Sequence, residues 1–235
     1  MNKEEFKNAV QNLNLKVDNF KLDKLDLYSK LLVEWNNKFN LTTITEENAI
    51  YLKHFFDSLC IVKAVNLEKI DSLCDIGTGA GFPGIVLKIF FPNLSIYLIE
   101  SSKKKCEFLE EVIKILKLKK IKVINARAEE FSKKNRDLFD VVTCRAVAHL
   151  QVLVEIGVPL LKINGLFIPL KGEIQKELKE SSNILTLLSC KLLKIINYQL
   201  PIEQSNRNIL VIKKNATTEK IYPREYNKII KDLKK

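Results

Sequence analysis

The chain has 235 residues, 46% of them hydrophobic, and no apolar run near the ~18 residues that a membrane-spanning helix needs. This composition favours one globular domain, and the charged start MNKEEFKNAV lacks the apolar stretch of a signal peptide, so we expect a cytoplasmic protein. The net charge of +11 favours a polyanionic partner, although 34 of the 39 basic residues are lysine, a usage that an AT-rich genome also produces.

The first part of the chain, residues 1–65, is predicted to be helical and contains no glycine. One apolar face recurs at three- and four-residue steps, and its members are Leu22, Leu25, Tyr28, Leu32, Trp35 and Phe39. We expect Trp35 to lie in the core rather than to stack on a nucleic-acid base. Thr45, followed by two glutamates, is a suitable N-cap for the next helix, which carries His54.

Strands and helices alternate after this segment. The predicted strands are the apolar runs DSLCDIG (71–77), LSIYLIE (94–100), IKVIN (121–125), DVVTCRA (140–146), GLFIPLKG (165–172), KIINYQL (194–200) and NILVIKK (208–214). Nearly continuous apolar strands that alternate with helices are typical of a buried parallel sheet. The last two strands are close in sequence and can form an antiparallel edge.

Four helices are predicted between these strands: FPGIVLKIFF (82–91), KKKCEFLEEVIKILKL (103–118), QVLVEIGVPLL (151–161) and residues 173–189. Pro83 suits the first turn of the first of them, and Ser101 or Ser102 can cap the second. The pattern as a whole predicts an α/β fold with a doubly wound, Rossmann-like, mostly parallel sheet.

Three segments are expected from this pattern. Residues 1–65 form an N-terminal helical extension, residues 66–214 form the ligand-binding domain, and residues 215–235 form a basic C-terminal tail. The stretch from 213 to 235 carries eight basic and three acidic residues, which predicts a mobile tail.

The stretch CDIGTGAGFPGIVL (74–87) contains two overlapping glycine patterns. Gly77, Gly79 and Gly81 alternate behind an aspartate, whereas Gly79, Gly81 and Gly84 fit the G-x-G-x-x-G fingerprint of dinucleotide sites. Glycines after a strand let the backbone approach a ligand and adopt positive φ. The loop is therefore predicted to hold a cofactor, and the two patterns point to different ones.

Phosphate-bearing cofactors fit this loop poorly. A nucleoside triphosphate site needs a lysine and a hydroxyl where Ile85 and Val86 stand. A dinucleotide needs N–H donors at the start of the helix, where Pro83 has none, although Glu100 has a suitable spacing for a ribose-binding acid.

Acidic residues lie at the ends of three successive predicted strands: Asp75, Glu100 and Glu129. S-adenosylmethionine has no pyrophosphate, and its ammonium and sulfonium groups are positive. Asp75 suits that cation directly or through water, Glu100 can accept both ribose hydroxyls, and Glu129 can accept the adenine amino group. We therefore expect S-adenosylmethionine as the cofactor.

The sequence resembles a specific family, the glucose-inhibited division protein B family of bacterial 16S rRNA guanine-N7 methyltransferases. The resemblance covers about residues 28–214. It rests on EWNNKFNLTTI (34–44), HFFDSL (54–59), the glycine loop, LIESSKKKCEFL (98–109), ARAEEF (126–131), VVTCRAVAHL (141–150), LKG (170–172) and RNILVIKK (207–214).

The resemblance implies cofactor contacts at five positions, which are Gly77, Phe82, Ala128, Glu129 and Arg145. Asp75, Gly79 and Glu100 follow from the general plan of methyltransferases that use S-adenosylmethionine. Glu100 stands where an aspartate is commoner, and it keeps the carboxylate. The resemblance also implies 16S rRNA in the small ribosomal subunit as the partner.

Guanine N7 presents an unprotonated lone pair, so its methylation requires no catalytic base or nucleophile, and the sequence contains no evident candidate for either. Catalysis can then consist mostly of alignment. Two alternatives stay open at this point: a methyltransferase of another RNA or a small molecule, and a non-catalytic RNA-binding ribosome-assembly factor. Nothing requires more than a monomer.

Arg145 is the most informative of the five arginines, because it follows an apolar strand and should emerge at the ligand edge. It can contact the cofactor, guanine O6 or an RNA phosphate, or it can form a salt bridge to Glu129. Candidate RNA contacts are Lys103–Lys105, Lys171 and Arg207, each of which can equally be a solvated charge.

The remaining polar features are interpreted as structural. His54 with Asp57 and Ser58 is expected to form a buried hydrogen-bonded cluster that supports the site. The five cysteines are scattered and the two histidines isolated, so we expect reduced core cysteines and no metal site.

Overall fold

The structure, a computed structural model, describes residues 1–233. Its strands are β1 Ser72–Ile76, β2 Ser95–Glu100, β3 Ile121–Asn125, β4 Phe139–Arg145, β5 Leu161–Lys171, β6 Cys190–Gln199 and β7 Asn206–Lys214. Its helices are α1 Lys3–Gln11, α2 Asn19–Asn36, α3 Glu47–Ile50, α4 Gly84–Phe90, α5 Lys103–Ile115, α6 Ala128–Lys134, α7 Leu150–Gly157, α8 Gln175–Glu180, α9 Ser182–Leu187 and α10 Tyr226–Asp232. Helix α3 continues as a π-helical segment, Tyr51–Phe56, and an α-helical turn, Asp57–Leu59.

The seven strands form one sheet in the order β3-β2-β1-β4-β5-β7-β6. Strands β1 to β5 pair in parallel, and β7 pairs antiparallel with both β5 and β6. The strand order reverses between β1 and β4, which is the switch point where open α/β sheets bind ligands. The predicted Rossmann-like α/β fold with an antiparallel edge is confirmed.

Helices cover both faces of the sheet and define two cores. The first core packs α1 to α5 on one face and includes Phe6, Tyr28 and Phe55. The second packs α6, α7 and the later helices on the other face and includes Leu153 and Ile229. The N-terminal helices thus share a core with the sheet, while the proposed division into three segments stays a prediction.

Tyr28 connects the N-terminal helices to the glycine loop. Its side chain is completely buried, and its hydroxyl donates a hydrogen bond to the backbone carbonyl of Ala80. Its ring packs on Phe82, with 5.3 Å between the ring centroids. The loop therefore rests on a helix that precedes the sheet by more than thirty residues.

One local prediction about helix caps needs correction, and another is confirmed. The N-cap of α3 is Glu46 rather than Thr45, because the Glu46 carboxylate accepts hydrogen bonds from the backbone of Asn48 and Ala49. The two predicted caps of α5 resolve to Ser102, whose hydroxyl accepts from the Lys105 backbone.

The prediction of a mobile tail is also wrong for the described part of it, residues 215–233. This segment packs against the second core and ends in α10, where Ile229 is completely buried. The prediction rested on the charged residues of this segment and took no account of its apolar residues. Lys234 and Lys235, which the prediction included, lie outside the described residues.

No helix within residues 1–233 is both long enough and apolar enough to span a membrane.

Replacement of Tyr28 by phenylalanine should lower the free energy of unfolding by about 1–3 kcal/mol, because the buried Ala80 carbonyl loses its donor. Urea denaturation measures the change. Tyr97→Phe is the matched control, since within residues 1–233 the Tyr97 hydroxyl has no hydrogen-bond partner, and it should change stability by less than about 0.5 kcal/mol. Equal effects of the two substitutions would contradict the anchoring role of Tyr28.

Candidate active site

A cavity of about 440 Å³ opens at the switch point between β1 and β4. The loops after β1, β2 and β4 and the first turn of α6 surround it. Of the eight residues predicted to bind the cofactor, seven line this cavity, and they are Gly77, Gly79, Phe82, Glu100, Ala128, Glu129 and Arg145. The eighth, Asp75, does not line it.

The glycine loop turns sharply at the end of β1. Its three glycines have positive φ angles of 65° at Gly77, 62° at Gly79 and 98° at Gly81, a region that side-chain-bearing residues rarely adopt. A Cβ atom on Gly79 would meet no heavy atom within 4 Å, so open space lies directly against the backbone there. This space beside a bare backbone fits the close approach of a cofactor.

Glu100 ends β2 beside this loop and is 7% exposed. Its Oε2 atom accepts a hydrogen bond of 3.0 Å from the Gly79 backbone, and its Oε1 atom accepts one of 2.8 Å from the Ser102 backbone. Each carboxylate oxygen keeps further acceptor capacity toward the cavity. A fixed carboxylate of this kind fits the paired hydroxyls of a ribose.

Asp75 lies behind the glycine loop, completely buried. Its Oδ2 atom accepts hydrogen bonds from the Thr78 hydroxyl at 2.6 Å and from the Gly84 backbone at 2.9 Å. Burial raises the pKa of this carboxyl from 3.8 to about 7. Asp75 thus shapes the loop, and the expected direct contact with a cofactor cation has no support from its position.

The hydrogen bond from Gly84 to Asp75 also bears on the choice between cofactors. Gly84 begins α4, and its N–H is taken by Asp75 rather than left free at the helix start. Pro83, the N-cap residue, has no N–H to donate. The helix therefore lacks two of the donors that a dinucleotide pyrophosphate uses, which agrees with the exclusion made from the sequence.

The Oδ1 atom of Asp75 is buried and has no hydrogen-bond partner among the described residues. Because the pKa of this carboxyl is raised to about 7, the unpartnered oxygen can hold the carboxyl proton, or it can bind a water behind the loop. The open backbone at Gly79 and the carboxylate of Glu100 fit a positively charged nucleoside such as S-adenosylmethionine.

Glu129 lies in the first turn of α6, next to Ala128, and is 9% exposed. The salt bridge between Glu129 and Arg145, one of the alternatives left open from the sequence, is not formed. Arg145 instead contacts the N-terminal helical segment that contains the predicted cluster of His54, Asp57 and Ser58.

Arg145 is the centre of a hydrogen-bond network between β4 and the π-helical segment. One nitrogen, Nη1, donates to the Lys53 carbonyl at 2.7 Å and lies 3.2 Å from an Asp57 carboxylate oxygen, while Nη2 contacts His54 Nδ1 at 2.9 Å. Asp57 also accepts a 2.6 Å hydrogen bond from the Tyr198 hydroxyl. The fork of an arginine is needed for three simultaneous acceptors.

His54 is neutral in this network, because burial and the charge of Arg145 lower its pKa to about 3. Arginine can only donate, so Nδ1 of His54 accepts and Nε2 carries the proton. The His54 ring stacks on Phe82, with centroids 4.3 Å apart and planes 13° apart. The predicted buried cluster is confirmed, with Ser58 donating to the His54 carbonyl at 2.6 Å.

Thr42 lines the cavity and was not singled out from the sequence. Its Oγ1 atom lies 3.0 Å from His54 Nε2 and accepts a 3.1 Å hydrogen bond from the Ile44 backbone. Both lone pairs are then used, and the hydroxyl proton is left to donate into the cavity. The stretch NLTTI that contains it was the available signal.

A second cleft of about 420 Å³ adjoins the cavity and shares His54, Arg145 and Ala146 with it. Two of the predicted RNA-binding residues, Lys171 and Arg207, line this cleft. Lys171 is largely buried, paired with Glu177 at 2.7 Å and bonded to the Ala148 carbonyl.

The other predicted RNA-binding residues are Lys103–Lys105. Lys105 lines the first cavity, whereas Lys103 and Lys104 are exposed at the start of α5. Lys104 packs its ammonium over the Phe39 ring at 4.7 Å.

Within residues 1–233, no three or more His, Cys, Asp or Glu side chains are grouped to hold a metal. All five cysteines are free thiols, four of them buried, as expected for reduced core residues.

Comparison with solved structures identifies the fold. A SAM-dependent methyltransferase from Aquifex aeolicus covers 74% of this chain and 97% of its own, with 15% identity and a TM-score of 0.56. TYW2 of M. jannaschii, in complex with AdoMet, covers 63% of this chain and 69% of its own, with 18% identity and a TM-score of 0.51. These likenesses show a class I Rossmann-like α/β fold.

Comparison of sequences identifies the family. Residues 21–210 match the family model of rRNA small subunit methyltransferase G, or GidB. Ribosomal RNA small subunit methyltransferase G of Bacillus licheniformis is 42% identical over 228 residues, which are 96% of this chain and 95% of that protein. The chain belongs to this family, and the predicted resemblance is confirmed.

Replacement of Asp75 by asparagine should change how stability depends on pH. The raised pKa means that the folded state holds the proton more tightly than the unfolded state, so wild-type stability falls as pH rises from about 4 to about 7. The asparagine side chain keeps an oxygen acceptor for Thr78 and Gly84 and does not ionise. The free energy of unfolding of the variant minus that of wild type should therefore be larger at pH 7.5 than at pH 4.5. The increase should be at least about 1 kcal/mol, since one pKa unit is worth about 1.4 kcal/mol.

Urea denaturation at the two pH values measures this difference. Asp71→Asn, an exposed position just before the same strand, is the control and should give no such gain. A difference between Asp75→Asn and wild type that does not change with pH would contradict the raised pKa.

Proposed function

We propose that this enzyme transfers a methyl group from S-adenosylmethionine to N7 of a guanine in 16S rRNA. The observation that carries the proposal is the pair of adjoining clefts that share Arg145. One has the open glycine backbone and the fixed carboxylate of Glu100, which suit the methyl donor. The other adjoins it at Arg145 and is lined by Lys53, Lys171 and Arg207 together with Asp57, Glu173 and Glu177, so it offers both donors and acceptors to the base of an acceptor nucleotide.

Each residue of the donor cavity has a proposed task. Gly77 and Gly79 bring the backbone against the donor, Glu100 accepts its ribose hydroxyls, and Glu129 accepts its adenine amino group. Phe82, on which both the His54 ring and the guanidinium of Arg145 pack, gives the cavity a rigid aromatic wall. Asp75 keeps the loop in shape from behind.

Methylation of guanine N7 needs no catalytic base, which agrees with the lack of an available base among these residues. S-adenosylmethionine supplies an electrophilic methyl group, and guanine N7 has a free lone pair at neutral pH. His54 is neutral, but its Nδ1 is occupied by Arg145 and its Nε2 carries a proton, so it has no free site to accept one. The residues then act by orienting the two substrates.

Arg145 and Thr42 are the groups best placed to orient the acceptor. Arg145 lines both clefts and is fixed by Asp57 and His54. Thr42 has a hydroxyl proton free to donate to an oxygen acceptor. The RNA partner is expected to bind with steep salt dependence, because its phosphates contact lysine and arginine. We place the enzyme in the cytoplasm, acting as a monomer.

Methyl transfer to ribosomal subunits tests the proposal. Purified enzyme is incubated with tritiated S-adenosylmethionine and 30S subunits or naked 16S rRNA from a strain that lacks this protein, and the label is mapped by nucleoside analysis. We expect label in 7-methylguanosine of 16S rRNA. Label in another nucleoside, in protein only, or nowhere would overturn the proposed reaction.

Replacement of Arg145 by lysine should reduce this methyl transfer at least about tenfold, because an ammonium cannot keep the three contacts and charged hydrogen bonds are worth about 1.5–3 kcal/mol each. Arg127→Lys is the matched control. Arg127 lines the same cavity, but its exposed side chain makes no hydrogen bond to residues 1–233. Unchanged activity of the Arg145 variant would eliminate the orienting role of the fork.

A further inference from the structure

The C-terminal arm, defined here as residues 215–233, lies beyond the part of the chain that the family model matches, which ends at residue 210. Its helix α10 nevertheless reaches the donor cavity, where Tyr226 forms part of the lining beside Arg127, Ala128 and Glu129. We infer that Tyr226 is a cofactor-binding residue whose ring packs against the adenine of S-adenosylmethionine. This inference rests on the proposed function.

A buried ion pair fixes the arm to α7. Glu155 is completely buried within α7, and its only hydrogen-bond donor within residues 1–233 is Arg224. Arg224 donates to the two carboxylate oxygens at 2.8 and 2.7 Å and adds a backbone hydrogen bond of 2.9 Å. Removal of one partner of such a pair leaves a buried charge uncompensated, which is strongly destabilising. Docking of the arm is therefore required by the fold.

A second arginine fixes the arm to α6. Arg136, which follows α6, donates to three carbonyls of the arm, those of Thr218 at 2.6 Å, Glu219 at 3.2 Å and Tyr222 at 2.5 Å. Lys133, within α6, forms an ion pair with Glu225. Two of the five arginines of this lysine-rich chain thus hold the arm in place.

Both anchor points belong to elements that line the donor cavity. Helix α6 contributes Ala128 and Glu129, and α7 contributes Val152, Leu153 and Ile156. Ile229, one turn after Tyr226 on the same side of α10, is completely buried in the second core. The residues on either side of Tyr226 in the arm, Arg224 and Glu225 before it and Ile229 after it, are thereby anchored.

The surroundings of Tyr226 match a purine. The side chains of Ala128, Val152 and Ile156 are apolar, and the Glu129 carboxylate is an acceptor for an exocyclic amino group. A half-buried aromatic ring beside them offers a flat face on which a base can stack. Adenine is the only purine in S-adenosylmethionine, so Tyr226 is assigned to the part of the cavity that holds the nucleoside.

Calorimetric titration with S-adenosylhomocysteine tests the inference without a need for activity. Tyr226→Ala should weaken binding by about tenfold, the lower range of base–aromatic stacking, whereas Tyr226→Phe should stay within about twofold. 5′-Methylthioadenosine, which lacks the amino-acid part, should lose affinity by the same factor. Lys228→Ala, an exposed position on the same helix, is the control and should bind as wild type does.

The outcomes separate the inference from the proposed function. Failure of wild type to bind S-adenosylhomocysteine would overturn the proposed function. Binding by wild type and by Tyr226→Ala with equal affinity would overturn the role of Tyr226 alone. If Tyr226→Ala does not fold, hydrogen exchange of the wild-type protein tests the inference instead. The backbone amides of α10 should exchange more slowly when S-adenosylhomocysteine is bound. Unchanged exchange of these amides would overturn the inference.

Discussion

Two buried carboxylates hold the glycine loop in the shape on which the donor cavity depends. Asp75, on β1, binds the Thr78 hydroxyl and the Gly84 backbone from behind the loop, and Glu100, on the neighbouring β2, binds the Gly79 backbone from the front. The loop is thus fixed at three points by acids rather than by a lysine that would attract phosphate. This arrangement leaves bare backbone and carboxylate oxygens at the cavity, which suits a cationic nucleoside.

The N-terminal helices take part in the site as well as in the core. Tyr28 supports the loop from below through Ala80, and the π-helical segment contributes the groups that hold Arg145. Irregular helical turns of this kind frequently occur at functional sites. Arg145, placed by β4 and oriented by Asp57 and His54, couples the donor cavity to the adjoining cleft. The proposed sites of the two substrates therefore adjoin where three parts of the chain converge.

The sequence predicted the strands and the glycine loop, and seven of the eight residues predicted to bind the cofactor line the cavity. Strand ends in a parallel sheet meet at one edge, and that rule needs only local pattern. Asp75 lies behind the loop and does not line the cavity, because the direction of a side chain behind a turn depends on the loop conformation, and its contact with the cofactor through water stays a prediction. For Arg145 the sequence left a salt bridge to Glu129 open as one alternative, whereas the structure places it by Asp57, which lies 88 residues away in sequence. Thr42 and Tyr226 were missed for the same reason: their place at the cavity arises only from tertiary contacts.

The most direct test of this account is a comparison of two cofactors in one calorimetric experiment on the purified wild-type protein. Titration with S-adenosylmethionine should give saturable binding at a single site, and titration with NAD⁺ should give none, because Pro83 and the occupied Gly84 N–H offer no place for a pyrophosphate. Saturable binding of NAD⁺ together with exclusion of S-adenosylmethionine would contradict it.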